Sequence, residues 1–201
     1  MKKFGFFGGS FNPPTIAHER LAEEIAEKYN LDKVYFVPVG NFYKKEGLVD
    51  ERTRYEMLTN IKNDKLDVLD IELNSSQKLS AADAFKLINN NFKTSENYFI
   101  LGGDNLEKLP NWKNAETCLN NNIIAIQRGN NLDTIIENNN LLKSHKNKIF
   151  EFNTNNLNDY SSTKVRQALQ NEDKEILSKM LNKKVYFYIE KNNLYMQKNK
   201  K

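Results

Sequence analysis

The chain reads as an α/β protein with an open, mainly parallel sheet, helices on both faces and a helical C-terminal part. Two observations predict this. Strand-length apolar runs alternate with amphipathic helical stretches along residues 1–152. Three of those runs end in residues suited to a ligand, at 8–18, 38–45 and 102–112. In open parallel sheets ligands bind beyond the carboxyl ends of the strands, so the arrangement is Rossmann-like.

The first strand, 3–7, runs into Gly8, Gly9 and Ser10, then Phe11 and an Asn12-Pro13-Pro14 turn. A helix over 15–29 follows, with Thr15 as N-cap and His18 in the first turn. A second strand over 33–37 stops at Pro38 and completes a βαβ unit, which is right-handed and parallel as a rule. A loop over 40–50 carries Lys44 and Lys45, and a helix over 51–60 follows it. Residues 66–73 alternate apolar and acidic side chains, as in an edge strand. Ser80 and Asp83 have capping-box spacing for a helix to 92. A strand over 97–101 leads into Gly102, Gly103 and Asp104. Short helices over 105–109 and 115–119 flank a Pro110-Asn111-Trp112 loop. A strand over 122–127 ends at Arg128, a helix spans 132–142, and a sixth strand spans 148–152. Beyond a polar stretch, Ser161, Ser162 and Thr163 cap a helix to about 169, and another spans 174–181. Residues 185–189 have β propensity, but Val185, Tyr188 and Ile189 match helical spacing, which favours helix. The asparagine clusters (89–91, 120–122, 138–140) read as compositional bias.

With 201 residues, 39% of them hydrophobic, the chain can build one core. One domain is expected over 1–201, as a sheet-and-helix core (1–152) and a C-terminal helical part (153–196). The net charge of +4 is mild and spread along the chain, so nucleic acid is not an expected partner. The single cysteine, Cys118, excludes an intramolecular disulfide and a Cys-based zinc site, and it reads as a packing residue. No apolar run approaches the ~18 residues of a membrane span. The N-terminus does not read as a signal peptide, so a cytoplasmic location is expected and no membrane partner. Oligomeric state stays open, with a homo-oligomer allowed.

The glycines of 8–9 let backbone N–H groups approach a phosphate, and the helix start after them adds donors and a positive dipole end. Gly-Gly after a strand is also compatible with a plain tight turn. His18, beside that helix start, suits donation to phosphate oxygens. Ser161-Ser162-Thr163-x-x-Arg166 joins hydroxyls and an arginine at a helix start, which suits a di- or triphosphate. Lys44 and Lys45 by themselves read as surface charge, or as a pair with one side chain toward the site and one toward solvent. Asp104 suits ribose hydroxyls or serves as an N-cap. Trp112 suits stacking on a base or belongs to the core.

The segment Gly8-Gly9-Ser10-Phe11-Asn12-Pro13-Pro14-Thr15-Ile16-Ala17-His18 resembles an amino-terminal nucleotidyltransferase signature, and Ser161-Ser162-Thr163-Lys164-Val165-Arg166 is similar to its carboxy-terminal partner. Gly102-Gly103-Asp104, Pro110-Asn111-Trp112-Lys113 and Tyr43-Lys44-Lys45 with Arg54 extend the likeness over nearly the whole chain. Together they resemble the nicotinate/nicotinamide mononucleotide adenylyltransferase family. Many bacterial members have His where Thr15 stands and Gly where Ala17 stands. A Ser-x-Thr of that family is missing at Ser80-Ala81-Ala82.

The resemblance implies adenylyl transfer from ATP to a pyridine mononucleotide, with Mg²⁺ required and pyrophosphate released. It implies His18, Thr15, Lys44 and Arg166 as catalytic. Gly8, Gly9, Ser10, Phe11, His18, Lys45, Gly102, Asp104, Ser161, Ser162, Thr163 and Arg166 are implied at ATP and its phosphates, and Ser10, Lys44, Trp112 and Arg128 at the mononucleotide. No metal-ligating residue is implied. Competing readings are a transferase for another phosphorylated acceptor, such as a pantetheine phosphate, and a non-catalytic nucleotide-binding module.

Overall fold

The computed structural model describes residues 1–40, 42, 47–73, 75, 77–127, 131–154 and 161–196. Six strands form one sheet in the order β3-β2-β1-β4-β5-β6: β1 (Lys2–Gly9), β2 (Lys33–Pro38), β3 (Leu66–Val68), β4 (Ser95–Gly102), β5 (Asn122–Gln127) and β6 (Ile149–Asn153). Every neighbouring pair is parallel. The order reverses between β1 and β4, which opens a crevice beyond their carboxyl ends.

The sheet is covered on both faces because its central strands are apolar at successive positions. Along β5, Ile124 and Ile126 face one cluster while Ile123 and Ala125 face the other. The first cluster gathers α1 (Ile16–Lys28) and α2 (Glu51–Thr59), together with α8 (Ser162–Gln170), α9 (Lys174–Met180) and α10 (Lys183–Lys191). The second gathers α3 (Ala81–Asn91), α4 (Gly103–Lys108), α5 (Ala115–Leu119), α6 (Leu132–Glu137) and α7 (Asn140–Ser144). Gly5 lets β1 sit close under its neighbours: a Cβ there would meet Ile100 Cδ1 at 2.8 Å and Leu31 Cδ1 at 2.9 Å. Residues 185–189 are helical within α10, with Val185 and Ile189 buried.

Three expectations are corrected. The strand expected over 66–73 stops at Val68. Its partner β2 ends at Pro38, which has no N–H to extend the ladder, and the Gly40 N–H just beyond donates to the Glu72 side chain instead (2.6 Å). The helix expected over 132–142 breaks in two, because Asn139 Oδ1 accepts from the Leu141 and Leu142 N–H groups and caps a new helix. Clustered asparagines besides Asn139 are structural too: Asn89 Nδ2 donates to Asn121 Oδ1 (2.6 Å) and Asn97 Nδ2 to Asn89 Oδ1 (2.9 Å), tying α3, β4 and the approach to β5 together. Cys118 is fully buried, and burial pushes its thiol up to about 11, as for a packing residue.

Candidate active site

The turn between β1 and α1 meets the start of α8 at the crevice. Ser162 Oγ donates to the Pro13 carbonyl at 2.8 Å, across 149 residues of chain. Arg166 Nη1 donates to the Asn12 carbonyl at 2.8 Å, and its Nη2 to Thr163 Oγ1 at 3.2 Å. Ser161 caps α8 by accepting from the Lys164 N–H. Two helix starts, two hydroxyls and a guanidinium thus converge on one corner, a donor-rich setting for phosphate oxygens.

His18 is half-buried in the first turn of α1, with its ring against the edge of Phe11 (centroids 5.1 Å apart). Its Nδ1 accepts from the Thr15 backbone N–H at 2.9 Å, and Thr15 Oγ1 lies 2.9 Å from the same nitrogen. A backbone N–H only donates, so the ring proton of the neutral imidazole sits on Nε2. Thr15 itself is 1% exposed. Its hydroxyl and backbone N–H both meet His18 Nδ1, so the contacts of this side chain are with the imidazole.

Phe11 departs from expectation. Its side chain is 2% exposed and packs on Phe7 and Phe36, so it belongs to the core and only its backbone reaches the corner. Its φ of 45° turns the chain sharply there. The two glycines divide the work. A Cβ on Gly9 would strike the Phe11 ring at 2.9 Å, whereas a Cβ on Gly8 would meet nothing within 4 Å. Packing therefore requires Gly9 to be glycine, while the space above Gly8 is open to the site.

Beside the corner lies a cavity of about 700 Å³, walled by Gly8, Gly9 and Ser10 on one side and by Phe42, Ser80 and Trp112 on others. Trp112 is half-buried, packing against the second core cluster while also lining the cavity. Asp104 is not an N-cap: Gly102 holds that position, and Asp104 is exposed in the first turn of α4. Its carboxylate lies 2.6 Å from where a Gly102 Cβ would stand. Ala81 lines the cavity and Ser80 bonds Asp83, so this wall offers one hydroxyl already engaged. Lys44, Lys45 and Arg128 lie outside the described residues.

Three residues matter more than the bare sequence suggested. Arg54 is fully buried and its guanidinium donates to the Ser10 (3.0 Å), Val39 (2.5 Å) and Val49 (2.9 Å) carbonyls. It clamps the ends of β1 and β2 and the loop before α2. Burial holds its pKa below the ordinary arginine value. The signal was its spacing, three and four before Met57 and Leu58, which puts it on the buried face of α2. Asn12, 4% exposed, ties the β1–α1 turn to Gly47 and Val49. Glu72 lines the cavity, and burial pushes its carboxyl up. Only its distance in sequence hid it.

The cytidylyltransferase-like family profile matches residues 6–168. A probable nicotinate-nucleotide adenylyltransferase of Clostridium novyi is 32% identical, over 97% of this chain and 100% of that protein. One from Fusobacterium nucleatum is 34% identical, over 94% and 97%. The nicotinic acid mononucleotide adenylyltransferase of Plasmodium falciparum complexed with NaAD superposes with a TM-score of 0.79 at 26% identity, covering 97% of this chain and 98% of that one. With a donor-rich corner beside a cavity at the sheet's switch point, and with similarity running almost end to end, the chain belongs to the nicotinate-nucleotide adenylyltransferases of the cytidylyltransferase-like family.

Proposed function

We propose that this protein transfers the adenylyl group of ATP to nicotinate mononucleotide, releasing pyrophosphate and forming the deamido dinucleotide of NAD biosynthesis. The observation that carries this is the docking of the α8 start on the β1–α1 turn, which sets a phosphate corner beside a cavity of mononucleotide size. An oxygen of the mononucleotide 5′-phosphate attacks the α-phosphorus of ATP. The bond from that phosphorus to the bridging oxygen of the β-phosphate breaks, and the electron pair leaves with pyrophosphate. No enzyme-bound intermediate is needed, so the protein's part is alignment and charge stabilisation.

His18 donates from Nε2 to a non-bridging α-phosphate oxygen as charge builds there. Arg166, with the Ser161 and Thr163 hydroxyls and the backbone N–H of Ser162, holds the β- and γ-phosphates and then the leaving group. Gly8 gives the reacting phosphates room, and Ser10 borders both substrates. Gly102 and Asp104 face the adenosine ribose, and Trp112 stacks on the pyridine ring. Lys44 or Lys45 neutralises phosphate, and Arg128 faces the mononucleotide; these three assignments rest on the resemblance alone. Mg²⁺ enters with ATP. Among the described residues no three His, Cys, Asp or Glu side chains group as a metal site, so phosphate oxygens and water would hold the ion. Among the same residues no helix is long and apolar enough to cross a membrane.

The test is incubation with ATP, Mg²⁺ and either nicotinate or nicotinamide mononucleotide, with chromatography of the products. Deamido dinucleotide and pyrophosphate in equal amounts are expected. ATP binding without product from either acceptor would refute the reading in favour of a binding module. Product only with a pantetheine phosphate would move the acceptor class.

A further inference from the structure

Four parts of the chain meet at Asn12. Its side-chain amide donates to the Gly47 carbonyl (2.8 Å), and its Oδ1 accepts from the Val49 N–H (3.2 Å). These bonds tie the β1–α1 turn to the loop that leads from the cavity into α2. Its backbone carbonyl accepts from Arg166. The fourth part arrives from 183 residues away: the Tyr195 hydroxyl donates to Asn12 Oδ1 at 2.7 Å.

Tyr195 reaches that position by an unusual path. After α10 the chain turns through Asn193 at φ 50° and Tyr195 at φ 63°, both left-handed. A bulky aromatic residue persists in that region only where its surroundings hold it. The ring packs against the same core cluster as Phe7 and Phe11. Burial pushes the hydroxyl well above the ordinary tyrosine range, so it remains a donor at neutral pH.

The geometry points to Tyr195 as a positioning residue for the acceptor side of the site, acting through Asn12. Its hydroxyl fixes which way the Asn12 amide faces, and that amide sets the loop at Gly47 and Val49 against the corner. Without the hydroxyl, Oδ1 keeps, among the described residues, only the longer bond from Val49, and the loop loses its tether to the C-terminal segment. The ATP side keeps its own link through Ser162 and Pro13. The inference rests on the proposed reaction for its kinetic consequences, but its structural core does not.

Tyr195→Phe removes the hydroxyl and keeps the ring. Tyr188→Phe is the comparison: the Tyr188 hydroxyl, also in the C-terminal region, donates to Glu56 (2.6 Å) and, among the described residues, bonds none assigned to the site. In Y195F the KM for the mononucleotide rises about fivefold, on the scale of one lost neutral hydrogen bond, and the KM for ATP stays within about twofold. In Y188F the melting temperature falls while both KM values hold. Hydrogen exchange at the Val49 amide of the free protein accelerates in Y195F and not in Y188F. This readout needs no substrate, so it decides the role of Tyr195 even if the wild type makes no dinucleotide, a result that would sink the reaction alone. Unchanged Val49 exchange in Y195F, or equal KM shifts for both substrates, overturns the inference and leaves Tyr195 a plain anchor of the tail.

Discussion

Replacing Arg54 by methionine keeps much of the apolar volume while removing the cation and its donors. Three carbonyls, of Ser10, Val39 and Val49, lose their guanidinium partner in a site of 0% exposure. Each orphaned buried acceptor costs about 1–3 kcal/mol, for about 3–9 kcal/mol in all. Removing a buried cation returns several kcal/mol of desolvation, which leaves a net destabilisation of about 3 kcal/mol. For a chain of this size, at about 2–4 °C per kcal/mol, the melting temperature falls by about 6–12 °C. Calorimetric unfolding of wild type, R54M and R54K reads this directly. R54K falls between the other two, since a lysine carries charge but lacks the planar fork that spans three acceptors. Because two of those carbonyls end β1 and β2 at the cavity, the surviving folded R54M also shows a raised mononucleotide KM. A melting temperature within about 2 °C of wild type would mean the carbonyls find other partners, and the clamp would carry little.

His18→Ala lowers turnover by about 100-fold or more, the scale of one lost transition-state donor, with little change in melting temperature; near-normal kcat removes His18 from the chemistry. Gly9→Ala drives a methyl into the Phe11 ring and destabilises by about 1–3 kcal/mol in chemical denaturation. Gly8→Ala leaves stability unchanged but raises the acceptor KM about 10-fold, and equal stability effects in the two variants would refute their division of labour. Burial raises the Glu72 carboxyl above the ordinary glutamate value of 4.5. The folded state then holds this proton more tightly than the unfolded state, so its contribution is full below pH 4.5 and is lost as pH rises through the folded value. Glu72→Gln lacks that loss, so the melting temperature of E72Q gains on wild type as pH rises above 4.5; a difference that stays constant as pH rises contradicts the assignment.

Much of this protein was legible along the chain because local rules operate there. Ser80 with Asp83 forms the capping box that its spacing announces. Ser161 and Thr15 stand at N-cap positions, and β5 covers the residues expected of it. These features depend on propensity, periodicity and neighbours within one turn, all of which a sequence displays. The two signature segments at residues 8–18 and 161–166 were also readable, and with them the family.

Tertiary structure alone decided what surrounds each of those residues. Phe11 sits in a signature yet fills the core, because a left-handed φ turns its ring under Gly9. Thr15 was expected at the phosphate and is buried behind the imidazole it orients. Arg54, charged on a helix with Met57 and Leu58 buried on the same face, became the clamp of two strand ends. Asn12 became the junction of segments up to 183 residues apart. Pattern along a chain reports which face of an element is buried. It does not report which distant carbonyl or hydroxyl will be waiting there, since that depends on the order of strands in the sheet and on how the C-terminal helices return to β1.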